Sequence, residues 1–472
     1  MLNHFLSNLF RSSDAGKDSD AYFAGLRQKE FAILDAQGQT YLDYTGGNLY
    51  PRSLVLKHQE LLLTNVLGNP HSTNPTSQKA TELVEDTRKR VLNFFRAGND
   101  YTCIFTQNAS AAMKIVGESY PFGNTSSLLM LADNHNSVNG IREFCRKSGG
   151  KPVYVPVNYE DLTINSGILE EQLKENSSGQ NNLFAFPGQS NVSGVKHSLQ
   201  WIARAQELGY DVLLDAAALV PSSRLDLSVW KPDFVSVSFY KIFGYPTGIG
   251  CLLVNNRVFE KLRKPWFAGG TVTLVSVVSQ DRFLAGGHER FEDGTLNYNN
   301  IPAIKIGLDF IDEIGVERIQ QRVVELISRL SADLLTLKHD NGQPLVKVFG
   351  PDNFSCRGGN IILNFFDPNG EKHGFEEIEQ MANREKISIR SGCFCNPGID
   401  EINNCLTTNE ISGYFTSRDH GNYQDMIRFL GKMRGATRVS VGMASSESDL
   451  DRFVQFARRL LNRKVTHSAL AA

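Results

Sequence analysis

A chain of 472 residues exceeds what one hydrophobic core organises, so two or three domains are expected. Its hydrophobic content of 41%, charged content of 21% and formal charge of −2 are those of an ordinary globular protein with no field to steer a polyanion or an anionic membrane surface. No apolar run is long enough to cross a bilayer, and seven cysteines spread over so long a chain argue against a disulfide framework and for a reducing compartment, the cytoplasm by default.

The opening residues, MLNHFLSNLFRSSDAGKDSD, set Leu2, Phe5, Leu6, Leu9 and Phe10 at helical spacing. They lack the basic start, continuous apolar stretch and small-residue cleavage site of a secretory signal. Residues 1–20, polar from 11 onward, read as a flexible leader. From about residue 99 short apolar strands alternate with amphipathic helices. YTCIFT, SLLMLA, KPVYVPV and NLFAF are strands; SAAMKIVGES, SVNGIREFCRKSGG and GILEEQLKEN are helices between them. HSLQWIARAQELG is a helix with Leu199, Ile202 and Ala203 inward and Gly209 as its stop. DVLLD, DFVSVSF and GIGCLLVN complete a mostly parallel sheet covered on both faces. After about residue 301 the texture changes to long helices over 302–340, strands VKVFG, GNIILNFF and ISIRSG, and a closing helix SDLDRFVQFARRLLNRK. The fold class is α/β, with a large domain over 21–300 and a smaller C-terminal α+β domain over 301–472. The first twenty or so residues of the large unit are expected to lie against the small one. Residues 405–425 are polar and aperiodic, and read as a long surface loop.

Ligands of open α/β sheets sit beyond the carboxyl ends of the strands. There the sequence places TQNASAAM, DNHNS with His135, PGQSNVSG with Asn191, Asp215 after DVLL, and Ser238, Tyr240 and Lys241 after DFVSV. Each has an ordinary explanation alone. Asp215 caps a helix, Asn191 forms a turn, His135 is a satisfied side chain, and Lys241 snorkels or pairs with a carboxylate. Together they form a chemical set. Backbone N–H groups at a helix start hold a phosphate, a carboxylate keeps a pyridine nitrogen protonated, and a lysine forms a Schiff base with an aldehyde. The aldehyde carrying a pyridine and a phosphate is pyridoxal 5′-phosphate (PLP). The residues alone thus support a PLP enzyme working at the α-carbon of an amino acid. Transamination, epimerisation, elimination and sulfur transfer stay open, as does a silent scaffold that keeps the fold as a binding module.

The motifs YLDYTGGNLYP, GNPHSTNPTS, DNHNSVNGIRE, LLDAAALV, SFYKIFGYPTGIG, FAGGTV, ERFEDGTLNYNNIPAI, IRSGCFCNPG and RVSVGMAS follow one another from about residue 40 to 445. In them the chain resembles the class V aminotransferase family of PLP-dependent enzymes. The similarity is to the branch that holds cysteine desulfurases and the N-terminal domain of molybdenum cofactor sulfurases. The resemblance implies the type I, aspartate aminotransferase-like PLP-dependent transferase fold. It implies Lys241 as the cofactor's lysine, Asp215 on the pyridine nitrogen, and His135 stacked on the ring and assisting proton transfer. Ala109 and Ser110 would bind phosphate, chiefly through backbone N–H groups, with Ser238 and Tyr240. Thr295 would reach the phosphate across a homodimer interface. Asn191 and Arg438, with Arg390, would hold the substrate carboxylate. Two positions depart from many desulfurases: Ala218 stands where a glutamine contacts the ring hydroxyl, and Tyr240 where a histidine precedes the lysine.

Within RSGCFCNPG, the same resemblance sets Cys395 on the sulfur-accepting position, two residues after Cys393. The implied reaction takes L-cysteine to L-alanine and leaves a persulfide on Cys395 for an acceptor, a separate molecule as the chain is read to Ala472. The alternative is a class V aminotransferase, epimerase or lyase without sulfur transfer. Pro397 and Gly398 favour a turn, which suits a mobile thiol. Cys393, Cys395 and Cys405 have poor spacing for a metal, so no metal is expected. Cys103, Cys145, Cys251 and Cys356 lie in or beside apolar runs and read as core. Nucleic acid and membrane are not expected among the partners.

Overall fold

The computed structural model describes residues 13–432 and 434–465, with side chains from residue 19 onward. The apolar positions Leu2, Phe5, Leu6, Leu9 and Phe10 lie outside the described residues. The central sheet has seven strands: β1 (Tyr101–Thr106), β2 (Ser127–Leu131), β3 (Lys151–Val155), β4 (Asn182–Pro187), β5 (Tyr210–Asp215), β6 (Phe234–Ser238) and β7 (Gly250–Asn255). Their order is β1-β7-β6-β5-β4-β2-β3. The run from β6 to β3 is parallel, and β7 is antiparallel to both its neighbours. Every residue of β2, β4, β5, β6 and β7 is buried, which is why these strands read as continuous apolar runs rather than alternating ones. β3 sits at the edge, where Pro152 costs no ladder bond. The covering helix Gln200–Glu207 buries Ile202 and Ala205. Ala203, expected inward, is exposed, because one step along from Ile202 leaves the buried stripe.

A second sheet holds β8 (Val346–Phe349), β9 (Asn360–Phe365), β10 (Arg390–Gly392) and β11 (Ala436–Ser440), antiparallel throughout in the order β8-β9-β11-β10. Helix Val316–Leu335 packs on it, and Glu447–Arg458 packs on that helix. Helix Ile301–Ile314 behaves differently from the expectation that placed it in the small domain. It packs against Arg52–Thr64 and Pro75–Phe94, with Gly307 against the Phe243 ring, and the chain turns away at Gly315 (φ 90°).

Two readings of irregular chain need correction. Residues 13–20, taken as part of a flexible leader, belong to helix Ser13–Glu30. Asp20 pairs with Arg322, Arg27 donates to the Ala444 carbonyl at 2.6 Å, and Phe23 is buried, so packing on the small sheet's helices extends the helix cooperatively. The segment 405–425, taken as a loop, contains helix Thr408–Thr416 and enters helix Tyr423–Leu430. The first begins with a reciprocal Thr407–Glu410 capping box and the second with Asn422 on the Asp425 N–H, and these caps offset the weak periodicity. Among the described residues no helix is long and apolar enough to cross a membrane.

Candidate active site

The carboxyl ends of β2, β4, β5 and β6 face the small sheet, and the polar groups gather in that cleft. Lys241 lies in the single turn Tyr240–Phe243 directly after β6. Gly244 ends the turn at φ 78°, and a Cβ there would meet the backbone of Asn48 and Tyr50 within 3 Å, so glycine is what lets the 48–50 segment close on the lysine. Lys241 is half-buried and makes no hydrogen bond or ion pair to the described residues. Burial pushes its pKa down, with Asp215 opposing and Arg438 and Arg390 adding to the shift.

Asp215 ends β5. Its Oδ1 accepts the Ala217 N–H at 3.0 Å and the Ser236 hydroxyl at 3.3 Å, while Oδ2 has no partner among the described residues. His135 caps the short helix Asn136–Asn139, its Nδ1 accepting the Ser137 N–H at 3.1 Å. A neutral ring therefore carries its proton on Nε2. Burial lowers its pKa, opposed by Asp215 and assisted by Lys241 and Arg438.

The helix Ala109–Ser119 opens towards the same cleft. Asn108 caps the Ala111 N–H, and the Ala109 N–H, expected to be free, is taken by Ser238 Oγ at 2.8 Å. The Ser110 N–H has no acceptor among the described residues, and the Ser110 hydroxyl is 2.6 Å from that of Ser137. Tyr240 is half-buried with its ring against Gly47. Thr295 stands apart from this group, exposed, 3.5 Å from Asn69 Nδ2.

The two arginines are brought together by a residue that sequence reasoning missed. Arg390 and Arg438 are cross-strand neighbours on β10 and β11. Asp43 lies between them, its Oδ1 on Arg438 Nη2 at 2.8 Å and its Oδ2 on Arg390 Nη2 at 2.8 Å. Its signal was present in YLDYTGG, but nothing local named its partners. Arg438 Nη1 also donates to the Asn191 carbonyl at 2.8 Å, and its buried Nε has no acceptor among the described residues. Burial lowers the Arg438 pKa, whereas the Asp43 hydrogen bond raises that of the exposed Arg390.

Cys395 is exposed, in a loop docked on this cluster. Its carbonyl accepts the Asn136 N–H at 2.7 Å, next to His135. The Asn191 amide donates to the Phe394 carbonyl at 2.9 Å, and Arg438 lies 5.0 Å from the centre of the Phe394 ring. Gly398 rests on Ala132, whose carbonyl oxygen would be 2.2 Å from a Cβ. Cys393 is half-buried, and burial raises its thiol pKa. Cys103, Cys145 and Cys251 are buried, but Cys356, read as core, is exposed because Phe354–Cys356 is a surface 3₁₀ turn. Cys405 is likewise exposed, 2.9 Å from the Tyr159 hydroxyl.

The sequence matches Aminotransferase class-V over residues 40–453. The chain belongs to the class V aminotransferase family. Within it, 455 residues are 36% identical to the molybdenum cofactor sulfurase of Bos taurus, covering 91% of this chain and 51% of that protein. The chain thus spans about half the length of that relative. The cysteine desulfurase of Thermococcus onnurineus NA1 superposes with a TM-score of 0.76 at 23% identity, over 93% of this chain and 98% of that one. CsdA, a cysteine desulfurase of Escherichia coli, gives 0.73 at 20%, over 94% and 99%. These likenesses establish the type I PLP-dependent transferase fold for this class V chain, as its motifs imply.

Proposed function

We propose that the chain is a PLP-dependent cysteine desulfurase-like sulfurtransferase, which converts L-cysteine to L-alanine and receives the sulfur on Cys395. The observation that carries this is the docking of the Cys395 loop, by its own carbonyl, on the residue after His135 at the strand ends that also hold Asp215 and Lys241.

The free groups fit PLP. The unpartnered Lys241 amine would hold the aldehyde carbon, Asp215 Oδ2 the pyridine N–H, and the Ser110 N–H with the Ser110, Ser238 and Tyr240 hydroxyls the phosphate. Ala109 contributes by fixing the Ser238 Oγ rather than by its own N–H. Bound there, PLP supplies an electron sink for the pair released at the substrate's α-carbon. Lys241, with its lowered pKa, takes and returns the α-proton. His135 would cover the bound ring and, as a neutral imidazole with Nδ1 on the Ser137 N–H, would offer its Nε2 proton to the substrate. The substrate carboxylate meets Asn191 and the unpaired Arg438 Nε, with Arg390 close by through Asp43. The Cys395 thiolate attacks the cysteine sulfur. An S–S bond forms as the Cβ–S bond breaks, and protonation of Cβ leaves alanine and a Cys395 persulfide.

The exposed Thr295, together with exposed Leu274, Val277, Val278 and Phe283 around the hairpin Val272–Val275 and Arg282–Leu284, supports a homodimer in which Thr295 completes the partner's phosphate site. Seven unpaired cysteines support a reducing, cytoplasmic setting. The sulfur would pass to an acceptor protein or small molecule.

The test is to incubate PLP-loaded protein with L-cysteine and measure alanine together with persulfide on each cysteine. One alanine should appear per Cys395 persulfide before any acceptor is added. Cys395→Ser should load PLP and bind cysteine but form neither product. A keto acid, or alanine without persulfide at Cys395, would reject sulfur transfer.

A further inference from the structure

Asn396, the residue after the sulfur acceptor, has no task in the chemistry above, yet it is fully buried and its side chain is used on both ends. Its Nδ2 donates to Asp133 Oδ1 at 2.7 Å and to Asn191 Oδ1 at 3.2 Å. Its Oδ1 accepts the Ile399 N–H at 3.3 Å and caps helix Pro397–Asn403. Asp133 is equally buried and has two further partners. Ser190 donates to its Oδ1 at 2.8 Å, and His197 Nε2 lies 3.0 Å from its Oδ2. Loop, His135 segment and Asn191 turn therefore meet at one carboxylate.

We propose that Asn396 is a positioning residue for sulfur transfer, a latch that sets where Cys395 stands by tying its loop to the buried Asp133 carboxylate. This rests on Cys395 being the sulfur acceptor. Phe394 and Cys395 both have positive φ, 56° and 54°, a conformation that residues with side chains disfavour, so neighbours must hold the loop in shape. Of the contacts that hold it, the backbone bonds of Phe394 and Cys395 and the Arg438–Phe394 stacking involve half-buried or exposed groups. The Asn396–Asp133 bond joins two fully buried side chains, one of them a carboxylate, which makes it the strongest single tether. An attacking atom misplaced by roughly 1 Å loses about two orders of magnitude in rate. The groups that would hold PLP, on Lys241, Asp215 and Ser110, are not among the hydrogen-bond partners of the Asn396 side chain.

The test uses PLP-loaded protein and single turnovers with L-cysteine. Asn396→Ser and Asn396→Asp both keep an oxygen able to cap the helix. The first is too short to reach Asp133, and the second sets a carboxylate against it. Both variants should load PLP and show the wild-type absorbance change, with the half-saturating cysteine concentration raised far less than the rate falls, because Asn396 also donates to Asn191. Both should form the Cys395 persulfide about ten- to a hundredfold more slowly. Peptides spanning 394–399 should exchange their amide hydrogens faster. A wild-type persulfide rate in both variants overturns the latch. So does a loss of cysteine affinity as large as the loss of rate, or failure of both variants to load PLP, since Asn396 would then serve binding or folding. Wild-type protein that forms no Cys395 persulfide gives a different result, which rejects the sulfurtransferase reading itself.

Discussion

Lys241, Asp215 Oδ2 and the Ser110 N–H stand at the strand ends of the large sheet without partners among the described residues, while the ground beneath Cys395 is tied by a dense set of internal hydrogen bonds. There Asp400, in helix Pro397–Asn403, accepts from Arg434, from the Gly435 N–H at 2.9 Å and from the Tyr423 hydroxyl at 2.8 Å. Lys372 donates to the Gly435 carbonyl at 2.6 Å and to Asn404 at 3.1 Å. Both regions are polar, but the first leaves its free groups accessible, whereas the second spends most of its hydrogen-bonding capacity internally, the buried Arg434 Nε and Asn403 amide apart. Free polar groups open at the strand ends are available to a ligand, whereas groups bonded mostly to one another mark a part that must keep its shape.

The sharpest way to break the contrast is at the unpartnered amine. Lys241→Ala should leave the fold intact, since no hydrogen bond or ion pair of Nζ among the described residues is lost, while alanine formation from L-cysteine falls by roughly a thousandfold or more. Circular dichroism and the melting temperature check the first half, and product analysis the second. A marked loss of stability would mean that the lysine is structural.

The matched region should respond in the opposite way. Asp400 and Arg434 are both buried, so Asp400→Ala strands a guanidinium in the interior and should cost roughly 3–5 kcal/mol in urea unfolding. Cofactor loading at low denaturant should be retained, because Lys241, Asp215 and Ser110 are not among the hydrogen-bond partners of Asp400. Loss of PLP binding without loss of stability would dissolve the distinction between the two regions.

Asp43 sits on the border and is the intermediate case. It is an anion shared by two cross-strand arginines, one buried and one exposed. Asp43→Asn removes the charge but keeps the shape, and should lower stability by roughly 1.5–3 kcal/mol, the usual worth of charge-assisted hydrogen bonds. An unchanged unfolding midpoint would show that the strand ladder alone holds the arginines in register.

The free half of the site was legible in the sequence, and the matched half was not. Lys241, Asp215 and His135 each follow an apolar strand that announces itself by composition, and the strand-end rule then groups them. Asp43, Asp133 and Asn396 have no such local signature. Asp43 finds Arg438 395 positions away and Asp133 finds Asn396 263 positions away, so their meaning exists only once both sheets are assembled. The helix Thr408–Thr416 was missed for another reason. Its T-x-x-E cap was in plain view, but a short helix with one buried residue, Tyr414, carries too little period to be seen.

His135 belongs to the free half, and its titration gives the smallest and most discriminating test. Burial lowers its pKa below the ordinary 6.5, against the pull of Asp215 and with help from Lys241 and Arg438. Below that ordinary value the unfolded chain binds a proton that the folded one resists, so stability falls as pH drops through the window and is level above it. Urea midpoints of cofactor-free protein at about pH 7.5 and about pH 5.5 should therefore show an acid loss slightly smaller in His135→Gln than in wild type, the buried His373, whose pKa is lowered too, contributing alike to both. The opposite sign would mean that His135 is charged in the fold and already paired with Asp215. The unpartnered oxygen on that carboxylate would then have an occupant of its own, and the place assigned to the pyridine nitrogen would be taken.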